Sequence, residues 1–158
     1  MFRRRRLFRL PVWLILMIVI ASSIGLGTIA FYHPQLRNPQ CTGVAACFQD
    51  SVSYVVDGDT LDVGSTRIRL TLVNTPEVGE AGYSEAKQFT SQTCPVGTQA
   101  LVDEDDGQTG GSYGRMIAVV YCQGVNLNAE LLTSGHAVLL SYYCSVSEFA
   151  DQAWTGCP

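Results

Sequence analysis

Positive charge is scarce in most of this sequence. Residues 38–158 contain 14 acidic side chains and only four basic ones, a balance of −10. The four basic residues are Arg67, Arg69, Lys87 and Arg115. An acidic domain repels a polyanion unless bound cations screen it, and domains that bind nucleic acids are usually basic. The composition therefore argues against a nucleic-acid binder with a broad basic surface.

Charge of either sign is absent from residues 10–32, LPVWLILMIVIASSIGLGTIAFY, which follow a cluster of five arginines. As a helix, this run would extend roughly 30 Å or slightly more, enough to cross a bilayer. The basic cluster should stay in the cytoplasm and leave the following residues outside. We therefore predict a basic tail over 1–9, a transmembrane anchor over 10–32, a linker over 33–51 and a folded extracellular domain over 52–158.

Two other interpretations of the apolar run are open. It could belong to a cleaved signal peptide of a secreted protein, because small residues in GTIA (27–30) lie near its end. The apolar core of a signal peptide is usually shorter, so we favour a retained anchor. A twin-arginine signal is loosely resembled by Arg5, Arg6 and Phe8. The length of the apolar run argues against such a signal.

The common zinc-binding spacings are also missing, because no two cysteines form a C-x-x-C pair. All six cysteines follow the apolar run, and an even number of cysteines outside a membrane is typical of disulfides. Their order suggests Cys41–Cys47, which closes a short loop, and Cys144–Cys157, which ties back a last helix. The two remaining cysteines, Cys94 and Cys122, are predicted to form the third disulfide.

Apolar periodicity predicts a small mixed domain of the α+β class. The predicted strands are 53–57, 60–63, 67–73, 99–104 and 115–122. The predicted helices are 83–93, 128–135 and a last turn or two over 147–154, with extended chain over 136–143. Five short strands with a helix between the third and fourth suit an OB-type Greek-key barrel, here with about three helices and preceded by the transmembrane helix.

Polar side chains occupy strand positions where apolar residues are expected. Asp59 opens the second predicted strand and Asn74 ends the third, so both could offer the hard oxygen ligands that calcium prefers. Arg69 and Arg115 lie within or at the start of strands, and two guanidinium groups can hold a phosphate and stabilise charge that grows on it. The acidic run 103–106 lacks the ligand spacing of an EF-hand and is predicted to be a solvated loop.

Five blocks of the sequence resemble the staphylococcal nuclease (thermonuclease) family. They are VVDGDTLDV, IRLTLVNTPE, YSEAKQF, SYGRMIAVVY and NLNAELLTSGHA, in the family's order and over roughly residues 52–141. The D-G-D-T, R-L-x-L-V-x-T-P-E and Y-G-R motifs are specific in combination. The resemblance implies a five-stranded OB-type barrel with three helices. It also implies calcium-dependent cleavage of DNA and RNA phosphodiesters to 3′-phosphate ends.

The resemblance also implies a role for each residue that matches a family motif. Calcium would be bound by Asp59, by Asn74 and by the backbone carbonyl of Thr75. Asn74 stands where the family has an aspartate, so one negative charge is gone from the ligand set and the affinity for calcium should fall. Glu77 matches the glutamate that orients or deprotonates the attacking water.

The matching arginines and tyrosines would contact the nucleic acid. Arg69 and Arg115 match the family's two phosphate-binding arginines, and Tyr113 matches its nucleotide-contacting tyrosine. The second base-stacking tyrosine of the family falls near Ser141, with Tyr142 one position away and on the other face of a strand. The lysine-rich surface of the secreted nuclease is missing.

Three functions are compatible with these observations. The first is an outward-facing, membrane-anchored, calcium-dependent nuclease that acts on DNA or RNA without an obligate protein partner. The second is a non-catalytic OB-type module that binds nucleic acid or protein, and the third is a surface protein that binds calcium structurally. The acidic balance favours the last two. The retention of Asp59, Arg69, Glu77 and Arg115 favours the first, because a binding-only domain would be expected to have lost one of the arginines or the glutamate.

Overall fold

The computed structural model describes residues 41–158, and the predicted tail and anchor lie outside them. Within this range, no helix is both long and apolar enough to span a bilayer. The strands are β1 (Cys47–Val55), β2 (Thr60–Val63), β3 (Thr66–Leu70), β4 (Val73–Asn74), β5 (Gln99–Glu104), β6 (Met116–Cys122), β7 (Val125–Asn126) and β8 (Val138–Leu139). The helices are α1 (Tyr83–Thr93) and α2 (Leu127–Thr133), with short 3₁₀ turns at Asp106–Gln108 and Ser141–Tyr143.

Five of these strands close into a barrel. Antiparallel pairing runs from β3 through β2, β1 and β5 to β6. The barrel closes where β3 pairs with β6 in parallel, with Ile68 opposite Met116. The five-stranded OB-type barrel predicted from the sequence is therefore confirmed.

The interior of the barrel is apolar because side chains alternate along each strand. In β3, Ile68 and Leu70 are buried inside, while Arg67 and Arg69 project from the opposite face. Leu127 and Leu131 of α2 are fully buried in the same core cluster. Each such side chain contributes about 1.5–3 kcal/mol of transfer free energy. Polar side chains on these strands therefore lie on the outer surface or at the barrel ends.

Strand β1 begins earlier than the sequence pattern predicts. The predicted linker spans 33–51, yet β1 starts at Cys47, and residues 47–51 pair with residues 99–103 of β5. The side chains of this early segment are exposed or half-buried. Phe48 packs against the core, but Gln49, Asp50 and Ser51 give no apolar alternation to detect, so backbone pairing mainly defines this part of the strand.

The strand predicted over 67–73 is broken in two. Leu72 has a φ of 62° although it is buried, so β3 ends at Leu70 and β4 begins at Val73. Tertiary contacts hold this bend, because Asn128 Nδ2 donates to the carbonyl of Thr71 at 2.9 Å. A left-handed leucine costs roughly 1–3 kcal/mol unless its surroundings hold it. The sequence LTLV alternates like a continuous strand and gives no sign of the bend.

The third predicted helix, over 147–154, is a series of turns, so the described part of the chain has two α-helices. Hydrogen bonds from side chain to backbone compete with a helix here: Thr155 Oγ1 donates to the carbonyl of Ala150 at 2.7 Å. The segment is nevertheless packed, because Phe149 is fully buried against Leu72 and Val119. The extended chain predicted over 136–143 shortens to β8 and a 3₁₀ turn.

The six cysteines form the predicted pairs Cys41–Cys47, Cys94–Cys122 and Cys144–Cys157. No cysteine of the described range is free. Cys94 and Cys122 are fully buried and join the end of α1 to β6 across 28 residues of chain. Closing a loop of this length restricts the unfolded chain and stabilises the fold by roughly 3–4 kcal/mol.

Candidate active site

A buried carboxylate, Asp59, lies in the turn between β1 and β2. Its side chain is almost fully enclosed, and the residue is 3% exposed. The turn is held locally, because Asp57 Oδ1 accepts from the backbone N–H of Asp59 at 3.1 Å. It is also held from α1, because Thr90 Oγ1 donates to the carbonyl of Gly58. Asp59 is thus fixed by backbone and helix contacts before any ligand binds.

Three donors surround the Asp59 carboxylate. The backbone N–H and Oγ1 of Thr75 donate to Oδ2 at 2.7 and 3.0 Å. Arg69 Nη2 lies 3.2 Å from the same oxygen. Burial raises the pKa of Asp59, and the charge of Arg69 and the bonds from Thr75 only partly oppose this effect. A carboxylate with so little solvent around it is a group whose charged form a nearby cation stabilises.

Arg69 is held by four oxygen atoms. Its Nη1 donates to the backbone carbonyls of Leu70 and Val73 at 3.0 and 2.7 Å. Its Nη2 donates to Asn74 Oδ1 at 3.1 Å and also contacts Asp59. Burial lowers the pKa of Arg69, and the charge of Asp59 opposes that shift, but a guanidinium stays protonated in proteins. The side-chain oxygens of Asp59 and Asn74 therefore converge on one nitrogen.

Glu77 lies on the loop between β4 and α1 and is exposed. This loop is a tight turn: Glu77 N–H donates to Glu80 Oε2 at 2.8 Å, and Glu80 N–H donates to the Glu77 carbonyl at 2.9 Å. The turn therefore fixes the backbone of Glu77 and leaves its carboxylate accessible.

Arg69 and Arg115 line the same cleft, which has a volume of about 440 Å³. Arg115 Nε donates to the carbonyl of Ser112 at 3.1 Å, which orients its guanidinium. Tyr143 also lines this cleft and is 38% exposed. Two guanidinium groups and an aromatic ring in one cleft can bind a phosphate and an adjacent apolar or aromatic group.

The predicted tyrosine sites have different surroundings. Tyr113 is 99% exposed, and its ring centroid lies 6.0 Å from Arg115 Cζ. The sequence pattern points to Ser141 and Tyr142 for the second tyrosine and misses Tyr143. That prediction depends on a strand there, whereas the chain forms a 3₁₀ turn over Ser141–Tyr143, and this turn brings Tyr143 to the cleft.

The acidic run 103–106, predicted as a solvated loop, is partly inside the protein, so this prediction is wrong for Asp103 and Asp105. Asp105 Oδ2 accepts from Thr71 Oγ1 at 2.7 Å, and its Oδ1 accepts from backbone N–H groups. Burial raises the pKa of Asp103. One of its oxygens lies close to the sulfurs of Cys41 and Cys47, but disulfide sulfurs offer no thiolate to a metal.

The closed barrel defines an OB-type domain, with Arg69 beside a buried carboxylate and a cleft lined by Arg69 and Arg115. A family model described as staphylococcal nuclease homologue matches residues 67–154, and the chain belongs to this family. It is 33% identical over 112 residues to a micrococcal nuclease of Shigella flexneri, which covers 62% of each chain. It is 30% identical over 97 residues to an uncharacterized protein of Bacillus anthracis, covering 56% of this chain and 45% of that one. The chain thus spans about half the length of the curated relatives it matches.

Gly58 leaves the space in which Thr75 contacts Asp59. A Cβ at Gly58 would lie 2.6 Å from Thr75 Oγ1 and 2.7 Å from its Cγ2. Gly58→Ala should therefore displace Thr75 and lower the free energy of unfolding by about 1–3 kcal/mol, as overpacking typically does. Urea denaturation measures the change. Gly110→Ala is the matched control, because open space surrounds that glycine; equal stability of the two variants would contradict the tight contact.

Proposed function

We propose that the chain is a nuclease that hydrolyses phosphodiester bonds of DNA or RNA, with calcium as cofactor and 3′-phosphate ends as products. The observation that carries the proposal is the position of Arg69. It lines the cleft together with Arg115 and at the same time contacts Asp59 and Asn74. Membership of the staphylococcal nuclease homologue family supports it.

The oxygen atoms beside Arg69 fit a hard cation such as calcium. Asp59 supplies a buried carboxylate, Asn74 supplies an amide oxygen, and the carbonyl of Thr75 lies next in the chain. Calcium takes carboxylate, amide and carbonyl oxygens, and its affinity depends on the ligand charge. With a single carboxylate, the set should bind calcium weakly. When bound, the ion would stabilise negative charge on the phosphate as a Lewis acid.

The residues of the chain supply the remaining chemistry. Glu77 orients a water molecule and accepts its proton as the water oxygen attacks phosphorus. The bond from phosphorus to the 5′-oxygen breaks, and this oxygen takes a proton from solvent, which leaves a 3′-phosphate. Arg115 donates N–H groups to the phosphate oxygens, and Arg69 donates its Nε–H, because the hydrogens of its Nη1 and Nη2 are directed at protein oxygens. Because backbone carbonyls already orient both guanidinium groups, little reorganisation is needed as charge grows.

The acidic balance favours a second candidate, a non-catalytic OB-type module that binds protein or nucleic acid. The position of some acids weakens that argument, because Asp103 and Asp105 are fully buried and Asp59 contacts Arg69. The two functions differ in a direct experiment: full-length protein is incubated with single-stranded DNA, with calcium and with a chelator. Strand cleavage that needs calcium supports the nuclease; intact strands under both conditions support the binding module.

Arg69→Lys keeps the positive charge but loses the planar guanidinium, which contacts four protein oxygens and still offers its Nε–H to phosphate. Loss of one preorganised donor typically lowers turnover on the order of 100-fold. Glu77→Gln removes the base and should lower turnover by roughly a hundredfold as well. The measurement is the steady-state cleavage rate of a labelled oligonucleotide.

The control for these two variants is Glu85→Gln on α1, because Glu85 is also exposed and has no role in the proposed mechanism. It should cleave at the parental rate. If Arg69→Lys and Glu77→Gln also cleave at the parental rate, the activity arises elsewhere and the proposed mechanism is wrong.

Asn74→Asp should tighten calcium binding, because it restores a carboxylate to the proposed ligand set. We expect an increase in affinity of about tenfold, measured by isothermal titration calorimetry in the absence of nucleic acid. Asn126→Asp is a matched control, because Asn126 caps α2 and does not contact Arg69 or Asp59. Unchanged calcium affinity in Asn74→Asp would place the cation at other residues.

We also propose that residues 10–32 anchor the protein in the cell membrane with the barrel domain outside. The support is the uncharged run after five arginines. Membrane fractionation should leave the protein in the pellet after a high-salt wash. A soluble mature protein that begins near residue 30 would show that the run is a cleaved signal peptide.

A further inference from the structure

A second depression shares Arg115 with the cleft. It has a volume of about 350 Å³, and its polar lining includes Asp62, Ser65, Arg67, Tyr113 and Arg115. Tyr113 stands almost fully exposed at this depression, with the guanidinium of Arg115 beside its ring. The nuclease mechanism uses the cleft and assigns nothing to Arg67.

The positive charges of the described residues are concentrated along these two depressions. Arg67 and Arg69 lie two residues apart on the outward face of β3, about 6.6 Å between Cα atoms. Arg115 precedes the first residue of β6, which pairs in parallel with β3. Lys87, the other cation in residues 41–158, is on α1, with its Nζ 6.0 Å from the ring centroid of Tyr54. Three of the four cations thus border a continuous path.

Arg67 forms an ion pair with Asp62 but keeps N–H groups that can donate to a ligand. Its Nε and Nη2 donate to the two carboxylate oxygens of Asp62 at 2.7 and 2.9 Å across the β2–β3 pair. Within residues 41–158, Nη1 of Arg67 has no acceptor, and half of the side chain is exposed. The pair is bidentate, so Asp62 can hold the guanidinium in place while its Nη1 stays open to a ligand. A phosphate can therefore accept from the free N–H groups without breaking a costly contact.

We propose that this depression is a second nucleotide subsite, in which Arg67 binds the phosphate next to the one held in the cleft. Arg115 stands between the two phosphates, and the exposed ring of Tyr113 offers a stacking surface for the base. The subsite rests on the proposed nuclease function and extends it to a stretch of at least two phosphates. Asp62 weakens the subsite by neutralising Arg67, so the two residues have opposite effects on binding.

Equilibrium binding of a fluorescent hexathymidylate and a dithymidylate tests the subsite. All variants of the full-length protein, in a non-ionic detergent, carry Glu77→Gln so that the strands stay intact in calcium. Arg67→Gln should weaken hexathymidylate binding about tenfold through the lost charge-assisted bonds. It should also reduce the salt slope by about 0.7, the value for one phosphate contact on a single strand. In Arg67→Gln, the ratio of the hexathymidylate affinity to the dithymidylate affinity should be smaller than in its parent.

Two further variants make the result specific. Asp62→Asn removes the competing carboxylate and should tighten hexathymidylate binding, whereas Lys87→Gln, which removes the same charge from α1, should stay within about twofold of its parent. If Arg67→Gln and Lys87→Gln have equal effects, or if Asp62→Asn weakens binding, the second subsite is wrong. Cleavage by the parent with Glu77 intact is measured separately. If the parent cleaves but Arg67→Gln and Lys87→Gln bind equally well, the subsite alone is overturned. If these two variants differ in binding but the parent does not cleave, the nuclease function alone is overturned.

Discussion

The contact between Arg69 and Asp59 is the constraint that organises this domain. A buried ion pair is unfavourable unless further hydrogen bonds satisfy both partners. Here the guanidinium also needs the carbonyls of Leu70 and Val73, and the carboxylate needs both donors of Thr75. Val73 and Thr75 follow Arg69 by four and six residues, about 13 and 20 Å along an extended strand, so the bend at Leu72 is needed to bring them to its side chain and to Asp59. The one strongly irregular backbone position of this strand thus serves the charged pair.

The sequence predicts a site residue when its position follows from a local motif, and it fails when the position depends on the folded chain. Asp59, Arg69, Glu77 and Arg115 lie in compact motifs, so the family resemblance predicts a role for each, and these roles stay predictions. The structure places Arg69 beside Asp59 and in one cleft with Arg115. Tyr143 cannot be found in the same way, because its position depends on whether residues 141–143 form a strand or a 3₁₀ turn, which the local sequence does not decide.

The errors in the fold have the same origin. The number and order of barrel strands could be predicted, because alternating apolar residues mark each strand that lines the core. The early start of β1 could not, since its first residues pair through the backbone and bury little. The bend at Leu72 and the turns over 147–154 depend on tertiary partners, namely Asn128 and the surfaces around Phe149. The burial of Asp105 likewise depends on Thr71 and on backbone groups distant in the chain.

The parallel pairing of β3 with β6 closes the barrel and also brings the two arginines of the proposed site together. Arg69 belongs to β3 and Arg115 leads into β6, and the strands that carry them meet through Ile68 and Met116, 48 residues apart in the chain. Contacts of such high sequence separation form late, because the loop entropy must be overcome before the contacts stabilise the chain. A partly folded chain can therefore hold the β1–β2–β3 meander and Asp59 in place and still lack the second arginine. The cleft that both arginines line therefore requires the pairing of β3 with β6, so the barrel and the proposed site are completed together.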